Sequence, residues 1–359
     1  MLEIIPTIKS WLKSDKEIGM ATVIRVEGSS PRPVGSKMIV SNHRDLEGSV
    51  SGGCVENNVI EETLKCLKDS KPRIQKYGID DSNPWSVGLA CGGKIEVFIE
   101  ALFNPNQSNG FSSSLFNQCV ELISKEESFI LSLILSPSHL GTRGLLYHNQ
   151  WVEGNSSGLW STLLPESSLQ KLSVAPIPQI IEVRQKNKPP SEIFIEPVFP
   201  QPKLIIIGAV HIAVFLTLFG KNLGYKTIVI DPRRTFLTRE RFPQANELIP
   251  KWPQDVLPSM NLTHRDCIVV LSHDEKIDLP AAAAALNSSV GYIGMLGSKR
   301  TRTQRFDALM DMGIPKTSLE RVHAPIGMDI KAVKPAEIAT AIMAEIIAHK
   351  REMKNERYH

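Results

Sequence analysis

The second half of the chain alternates short apolar runs with longer stretches of helical periodicity. The apolar runs are "LIIIG", "TIVID", "CIVVLS" and "VGYIGML", and each is followed by a helical pattern of roughly ten to fifteen residues. Strands that alternate with helices in this way form βαβ units, in which the strands pair in parallel. The pattern therefore predicts an α/β domain with a doubly wound parallel sheet.

The first half has a different pattern, in which short β-rich runs are separated by turn residues. Its clearest strands are "ATVIRVEG", "SKMIVS", "KIEVFIEAL", "FILSLILS" and "TRGLLYHN". One convincing helix runs from Val55 to Lys68, and the spacing of apolar residues in 1–20 predicts a surface helix. This order of elements is typical of an α+β domain built on a largely antiparallel or mixed sheet.

A change of composition separates the two halves. Residues 104–200 are rich in Ser, Asn and Pro, and prolines space the segment from Pro200 to Pro202 before the first apolar run. A chain of 359 residues is long enough for two domains. We expect an N-terminal domain over 1–200, with a variable middle region over about 104–200, and a C-terminal domain over 201–359.

Composition narrows the class of protein. The five cysteines are odd in number and form no C-x-x-C pair, which argues against a disulfide framework and a four-cysteine zinc site. Reduced thiols and the lack of an export signal favour a cytoplasmic location. The apolar stretch 204–220 fits strand, turn and helix better than a membrane span. A net charge of +3 gives no electrostatic reason to expect binding to nucleic acid or membranes.

The turn after the first apolar run of the second half is a degraded G-x-G-x-x-G motif. That motif lets backbone approach a pyrophosphate at a helix N-terminus. Here Gly208 holds the first position, Val210 the second and Ala213 the third, and the branched side chain of Val210 disfavours tight binding of NAD(P). Asp231, at the end of the next strand, is either an acceptor for a ribose hydroxyl or a turn carboxylate.

Polar residues also follow the two later strands, and a parallel sheet would bring them to the edge that holds Gly208 and Asp231. They are Ser272, His273, Asp274 and Asp278 after "CIVVL", and Gly294, Gly297, Ser298, Lys299, Arg300 and Arg302 after "VGYI". The second group suits an anion cradle with a glycine turn, or is a solvated basic helix face. The first is either a general base with its orienting carboxylate or a loop hydrogen bond.

The loop "VEGSSPRPVGSKMIV" in the first half is rich in hydrogen-bond donors. Ser29, Ser30 and Arg32 lie in it, with prolines on both sides of the arginine. Hydroxyls, backbone amides and one guanidinium in such a loop favour binding of an anion such as phosphate.

Two diglycine pairs adjoin cysteines in the same half. "GSVSGGC" places Gly52 and Gly53 before Cys54 at the predicted start of a helix, where the macrodipole favours thiolates and anionic ligands. "ACGG" places Cys91 directly before Gly92 and Gly93. The glycines clear access to both sulfurs; the alternative is that both thiols are buried and inert.

Eight segments together resemble the xanthine dehydrogenase accessory factors, the XdhC and CoxI-like proteins. They are "GSSPRPVGSKM", "GSVSGGCVE", "ACGG", "VHIAVFLTLFGKNLGYKTIVIDPRRTF", "RFPQANEL", "VVLSHDEKIDLPAAAAAL", "YIGMLGSKRTRTQR" and "HAPIGMDI...KPAEIATAI". The resemblance covers 19–347 apart from the middle region and implies an N-terminal XdhC/CoxI domain and a C-terminal Rossmann domain. The family commonly has Gly-Ala-Gly-His at the first Rossmann turn, whereas this chain has Val210 before His211.

The resemblance implies a role in the maturation of molybdenum hydroxylases. Such a protein binds the molybdenum cofactor (molybdopterin), holds it during sulfuration by a cysteine desulfurase-type sulfur donor and assists its insertion into the apoenzyme, without oxidising xanthine. The serine and arginine loops suit the phosphate of molybdopterin, and Cys54 or Cys91 suits the molybdenum or the transferred sulfur. We also expect Arg32 and either Lys299 or Arg300 to serve one ligand in an interdomain cleft, and a homodimer is compatible with this role.

Two other classes stay open from the sequence. One is an NAD(P)-dependent oxidoreductase with His273 or Cys91 in a redox role, which would need an intact glycine turn. The other is a nucleotide-sensing module whose ligand regulates binding to a partner.

Overall fold

Two compact units make up the fold, Met1–Pro200 and Gln201–His359. The protein is known from a computed structural model, which describes residues 1–78, 92–104, 110–152, 157–165, 169, 177–185 and 189–356. In the first unit the strands form two antiparallel sheets, and in the second they form one parallel sheet. The predicted combination of an α+β half and a doubly wound α/β half is confirmed.

The first sheet of unit 1 has the strand order β3-β2-β1-β5-β4. Its strands are β1 (Ile18–Glu27), β2 (Lys37–Ser41), β3 (Leu46–Gly48), β4 (Arg73–Tyr77) and β5 (Lys94–Ala101), and its helices are α1 (Ile5–Leu12) and α2 (Glu56–Asp69). Both faces of β1 are buried, since Ala21 and Val23 pack under α2 while Met20 lies in a core on the other face. This two-sided burial explains the continuous apolar run in β1.

The second sheet of unit 1 has the order β8-β7-β6-β10-β9. Its strands are β6 (Phe129–Ile134), β7 (Arg143–Tyr147), β8 (Gln150–Trp151), β9 (Gln179–Val183) and β10 (Ser191–Val198), with the helices α3 (Ser113–Ser124) and α4 (Ser157–Leu163). The last two strands lie in the stretch whose composition suggested loops.

Two buried ion pairs join the two sheets of unit 1. Lys37 of β2 lies 2.8 Å from the carboxylate of Glu196 on β10, and both side chains are at most 5% exposed. Arg143 of β7 pairs with Glu100 of β5, with both side chains at most 2% exposed. Removing one partner of such a pair costs about 3–5 kcal/mol, because the other charge stays buried.

Unit 2 is a six-stranded parallel sheet with the order β13-β12-β11-β14-β15-β16. The strands are β11 (Lys203–Ile207), β12 (Lys226–Ile230), β13 (Glu247–Ile249), β14 (Cys267–Val270), β15 (Tyr292–Met295) and β16 (Val322–His323). The helices are α5 (His211–Asn222), α6 (Pro253–Val256), α7 (Glu275–Leu286), α8 (Lys299–Asp311) and α9 (Pro335–Glu356). Apolar cores cover both faces of this sheet.

The apolar stretch 204–220 is divided between β11 and α5. Throughout the described part of the chain, no helix combines the length and the apolar character that crossing a bilayer requires.

Candidate functional site

The carboxyl ends of β11 and β14 meet closely at Gly208. This glycine has a φ of 103°, and a Cβ there would come within 2.7 Å of the backbone of Ser272. A side chain at this position would therefore push apart the turn after β11 and the loop after β14. The predicted gathering of these two loops at one sheet edge is present in the structure.

Asp231 ties this edge together from the end of β12. Its carboxylate accepts hydrogen bonds from the backbone N–H of Ala209, at 2.7 Å, and from the backbone and guanidinium of Arg233. The side chain is fully buried. Burial alone would raise the pKa of Asp231, but these hydrogen bonds outweigh it and lower the pKa. Its carboxylate thus stabilises the turn, and contact with a ribose stays a prediction.

Helix α5 begins directly after the altered glycine turn. Val210 precedes the helix in extended conformation without a capping side chain, so the helix begins at His211, which is exposed. A ligand role for His211 is untested and stays a prediction.

Of the two alternatives for His273 and Asp274, the structure shows no hydrogen bond that would make them a base and its orienting carboxylate, and it describes both residues. Asp274 instead caps α7, accepting a hydrogen bond from the backbone N–H of Lys276 at 3.0 Å. A helix cap competes with an orienting role because it fixes the carboxylate toward the helix N-terminus. Asp274 therefore has a structural role at the helix start, and a ligand role for His273 stays a prediction.

A buried pair behind this loop was not foreseen from the sequence. Asp278 of α7 accepts from the Ser272 hydroxyl at 2.5 Å and pairs with Arg305 of α8 at 3.0 Å. Arg305 also donates to the carbonyl of Leu296, which lies directly before the glycine turn. One ion pair therefore fixes both loops that follow β14 and β15. Its partners are 27 residues apart, so no local pattern could reveal it.

In the basic turn after β15, the predicted helix-capping hydroxyl is confirmed, while binding of an anion stays a prediction. Ser298 caps α8 by accepting from the backbone N–H of Thr301 at 3.1 Å, and Lys299 and Arg300 are exposed in the first helical turn. Gly297 lies in the turn, but the placement of Gly294 there was wrong. Gly294 is inside β15, where a Cβ would collide with Ile326.

Three loops of unit 1 meet at one end of its first sheet. A Cβ on Gly93 would collide with the Ser29 carbonyl, and one on Gly52 would touch Pro31. Arg32 donates from Nε to the carbonyl of Ser49 at 3.2 Å. Three segments that are far apart in sequence are thus neighbours. They are the serine-arginine loop with Ser29, Ser30 and Arg32, the first diglycine loop of residues 49–55, and the second diglycine pair of Gly92 and Gly93.

The loop of residues 49–55 is folded around the Glu56 carboxylate. Six donors in the loop, from Ser49 to Val55, hydrogen-bond to it. Burial alone would raise the pKa of Glu56, but the hydrogen bonds from Ser49 and Ser51 outweigh it and lower the pKa to about 2. The backbone N–H groups of Gly52 and Gly53, expected to face an anionic ligand, donate here to a side chain of the protein itself.

Of the two cysteines beside the diglycine pairs, the structure describes Cys54. Cys54 is exposed and lies two residues before α2, which begins at Glu56. Cys91 lies outside the described residues, and its proposed role stays a prediction. Among the described residues, no atom lies within 4 Å of where a Cβ on Gly53 or Gly92 would be.

The other described cysteines are buried. Burial is the main cause that raises the pKa of the Cys66 and Cys119 thiols to about 12 and that of Cys267 to about 11. Among the described residues, no group of three or more His, Cys, Asp or Glu side chains is placed to hold a metal ion. Cys54 is therefore the described thiol that is accessible for chemistry.

Comparisons with known proteins agree with this architecture. Residues 204–346 match the XdhC Rossmann domain, and residues 11–78 match the XdhC and CoxI family. A Bacillus subtilis (strain 168) protein named as a probable subunit of xanthine dehydrogenase is 25% identical over 342 residues, covering 95% of each chain. The molybdenum cofactor insertion chaperone PaoD of Escherichia coli (strain K12) is 24% identical over 336 residues, covering 93% of this chain and 84% of its own.

A solved structure is similar over nearly the full length. The crystal structure of a xanthine dehydrogenase from Bacillus halodurans superposes with a TM-score of 0.76 at 26% identity, covering 97% of this chain and 96% of that one. The two family matches together span more than half of the chain. The predicted resemblance is thereby confirmed, and the chain belongs to the XdhC and CoxI family.

Proposed function

We propose that this protein is an accessory factor that binds the molybdenum cofactor and assists its insertion into a molybdenum hydroxylase of the xanthine dehydrogenase type. Family membership supports an accessory role. One relative is named a molybdenum cofactor insertion chaperone, and another is named as part of a probable xanthine dehydrogenase. In this role the chain carries the cofactor as cargo and does not itself oxidise xanthine.

The meeting of three motif loops in unit 1 carries the proposal. Molybdopterin has a phosphate, a dithiolene-bound metal and an easily oxidised pterin, so a carrier needs anion donors, open backbone and a soft ligand. Arg32 lies in this cluster, and the structure gives its Nη atoms no partner among the described residues. No described atom would meet a Cβ on Gly53 or Gly92, and the backbone there leaves room for a ligand among the described residues. The residues present therefore fit the chemical groups of the cofactor.

Each group has a role in this proposal. Arg32 with Ser29 and Ser30 would bind the phosphate, because a guanidinium and hydroxyls are strong donors to phosphate oxygens. The Cys54 thiol would contact the molybdenum or the sulfur, since sulfur ligands suit a soft coordination sphere. Cys91 has the same proposed role.

The carboxyl edge of unit 2 supplies further donors. Ser298, Lys299 and Arg300 present a capped helix start with two exposed cations, an arrangement that favours an anion. We include them in the proposed binding residues together with Gly297, Gly208, His211, Asp231, His273 and Asp274.

The proposed partners follow from the cargo. A molybdenum hydroxylase apoenzyme would receive the cofactor, and a cysteine desulfurase-type donor would supply sulfur while the chain holds it. A homodimer remains part of the proposal.

A transfer assay tests the function. The cofactor-loaded protein and an equal amount of free cofactor are compared as donors to a purified apo-hydroxylase, and the recovered xanthine oxidation is measured. We expect faster and more complete recovery from the loaded protein, and no xanthine oxidation by the protein alone. Equal recovery from free cofactor would contradict an insertion role.

A further inference from the structure

The loop of residues 49–55 surrounds a single carboxylate on both of its oxygens. Oε1 of Glu56 accepts from the Ser49 hydroxyl at 2.6 Å and from the backbone N–H groups of Ser51 and Gly52, each at 2.9 Å. Oε2 accepts from the Ser51 hydroxyl, from Gly53 N–H at 2.8 Å and from Val55 N–H at 3.2 Å. The loop contains the first diglycine motif and the exposed Cys54.

A carboxylate suits this place better than any other side chain. An ionised carboxylate only accepts hydrogen bonds and has about four lone-pair sites, whereas the amide of Gln would turn an NH₂ group toward donors. An ionised carboxylate accepts at both of its oxygens, which matches the donors that the loop arranges around Oε1 and Oε2 of Glu56.

The Glu56 carboxylate also fixes the backbone conformation of the neighbouring glycines. Gly52 and Gly53 have φ values of 78° and 117°, and their N–H groups converge on the same acceptor. The loop in turn contacts the serine-arginine loop, through the Ser49 carbonyl that accepts from Arg32 and through Gly52 against Pro31. Without the acceptor, six hydrogen bonds are lost at once, and of the backbone donors only Gly52 and Val55 keep a second acceptor, in the hydroxyls of Ser49 and Ser51. The contact surface for Arg32 then loses its fixed position.

We propose that Glu56 is a positioning residue whose carboxylate fills a nest of backbone N–H groups and so holds Cys54 and the Arg32 contact in place. The part of this inference that concerns ligand binding rests on the proposed function. The part that concerns the loop does not, because it depends only on the nest and its acceptor.

Chemical rescue separates a filled nest from a general structural role. Glu56→Ala removes the carboxylate and leaves a cavity at the nest, which a small carboxylate such as acetate can enter. Amide exchange of the peptide that covers 49–55 is measured by mass spectrometry, with increasing acetate or with chloride at equal ionic strength. Glu61→Ala is the matched control, because Glu61 lies on the same helix and pairs with Arg44 on the surface.

We expect exchange in this loop to be about tenfold to a hundredfold faster in Glu56→Ala, as for loss of charge-assisted hydrogen bonds. Acetate should restore slow exchange along a saturating curve, while chloride and the control variant should have no effect. Glu56→Gln, which keeps the side-chain size, should exchange at a rate between those of parent and Glu56→Ala. Unchanged exchange in Glu56→Ala, or faster exchange that acetate leaves unaltered, would overturn the inference.

A second readout tests the link to the ligand. The molybdopterin content of co-expressed Glu56→Ala should fall relative to parent and Glu61→Ala, and acetate should restore it. Equal content in all three proteins, with exchange altered as expected, would show that the held loop does not serve the ligand and would overturn that part. If the parent itself carried no molybdopterin, the proposed function would fail, while the exchange data would still decide the role of Glu56.

Discussion

Arg305→Met is expected to destabilise unit 2 by about 3–5 kcal/mol, because the change leaves a buried carboxylate without its cation. The side chains of Arg305 and Asp278 are 5% and 1% exposed, and their closest N–O distance is 3.0 Å. The Met side chain also removes a donor from the Leu296 carbonyl, before the basic turn. The loops after β14 and β15 should therefore loosen together.

Amide exchange of β14 in the full-length protein measures this effect, since the strand is central in the sheet and fully buried. The expected loss corresponds to exchange that is roughly a hundredfold to several thousandfold faster. Arg302→Met is the control: Arg302 is exposed on the same helix and contacts the Phe306 ring, so its loss should cost about 1 kcal/mol or less.

The pH dependence adds a second check on the same variant. Burial raises the pKa of Asp278, and Ser272 and Arg305 oppose that rise. Without Arg305 the pKa rises further, so the folded variant binds a proton more tightly than the unfolded chain and gains stability as the pH falls. The loss should be smaller at acidic than at neutral pH. A loss below about 1 kcal/mol, or one independent of pH, would show that Arg305 does not neutralise a buried Asp278 carboxylate.

Three further predictions concern the site. Iodoacetamide should label Cys54 in the native protein well before the three buried thiols. A pKa of about 12 for Cys66 and Cys119 leaves about a thousandfold less thiolate than an ordinary cysteine has. Equal labelling rates by peptide mass spectrometry would contradict this. Arg32→Ala should weaken molybdopterin binding roughly tenfold to a hundredfold, and Arg300→Ala should do the same if both loops serve one ligand. The control Arg44→Ala should retain the cofactor unaltered. Unaltered retention in the first two variants would remove these residues from the site. Calorimetric titration should show weak or no binding of NAD(H) and NADP(H), and a low-micromolar constant, about −8 kcal/mol, would favour the oxidoreductase.

The parallel sheet could be predicted from sequence because its strands are buried on both faces and read as apolar runs. Strands β9 and β10 could not, since they lie in a stretch rich in loop residues. Glu196 interrupts the apolar pattern of β10 but is buried against Lys37, 159 residues away. Strand β4 was also missed, because it lies at the sheet edge and is mostly polar and half-buried. A charged residue that a distant partner neutralises can therefore lie in a buried strand, and the local sequence pattern does not predict that strand.

The candidate site shows the same division. The sequence identified the serine-arginine loop, the diglycine motifs and the basic turn, since each is a local cluster of donors. It did not reveal that Glu56 occupies the first diglycine loop, because that depends on how the loop curls around the carboxylate. The pair of Asp278 and Arg305 was hidden for a different reason, as two helices bring its partners together. Gly294 was placed in a turn because spacing alone cannot separate a turn glycine from one packed in a strand.

Native mass spectrometry of the protein co-expressed with a molybdenum cofactor pathway shows directly whether the chain carries this cofactor. The spectrum reports which small molecule remains bound to the intact chain. We expect an added mass equal to molybdopterin or its molybdenum-loaded form, reduced in Arg32→Ala and retained in Arg44→Ala. A chain that carries no pterin under these conditions, or one that carries NAD(P) instead, would contradict this expectation.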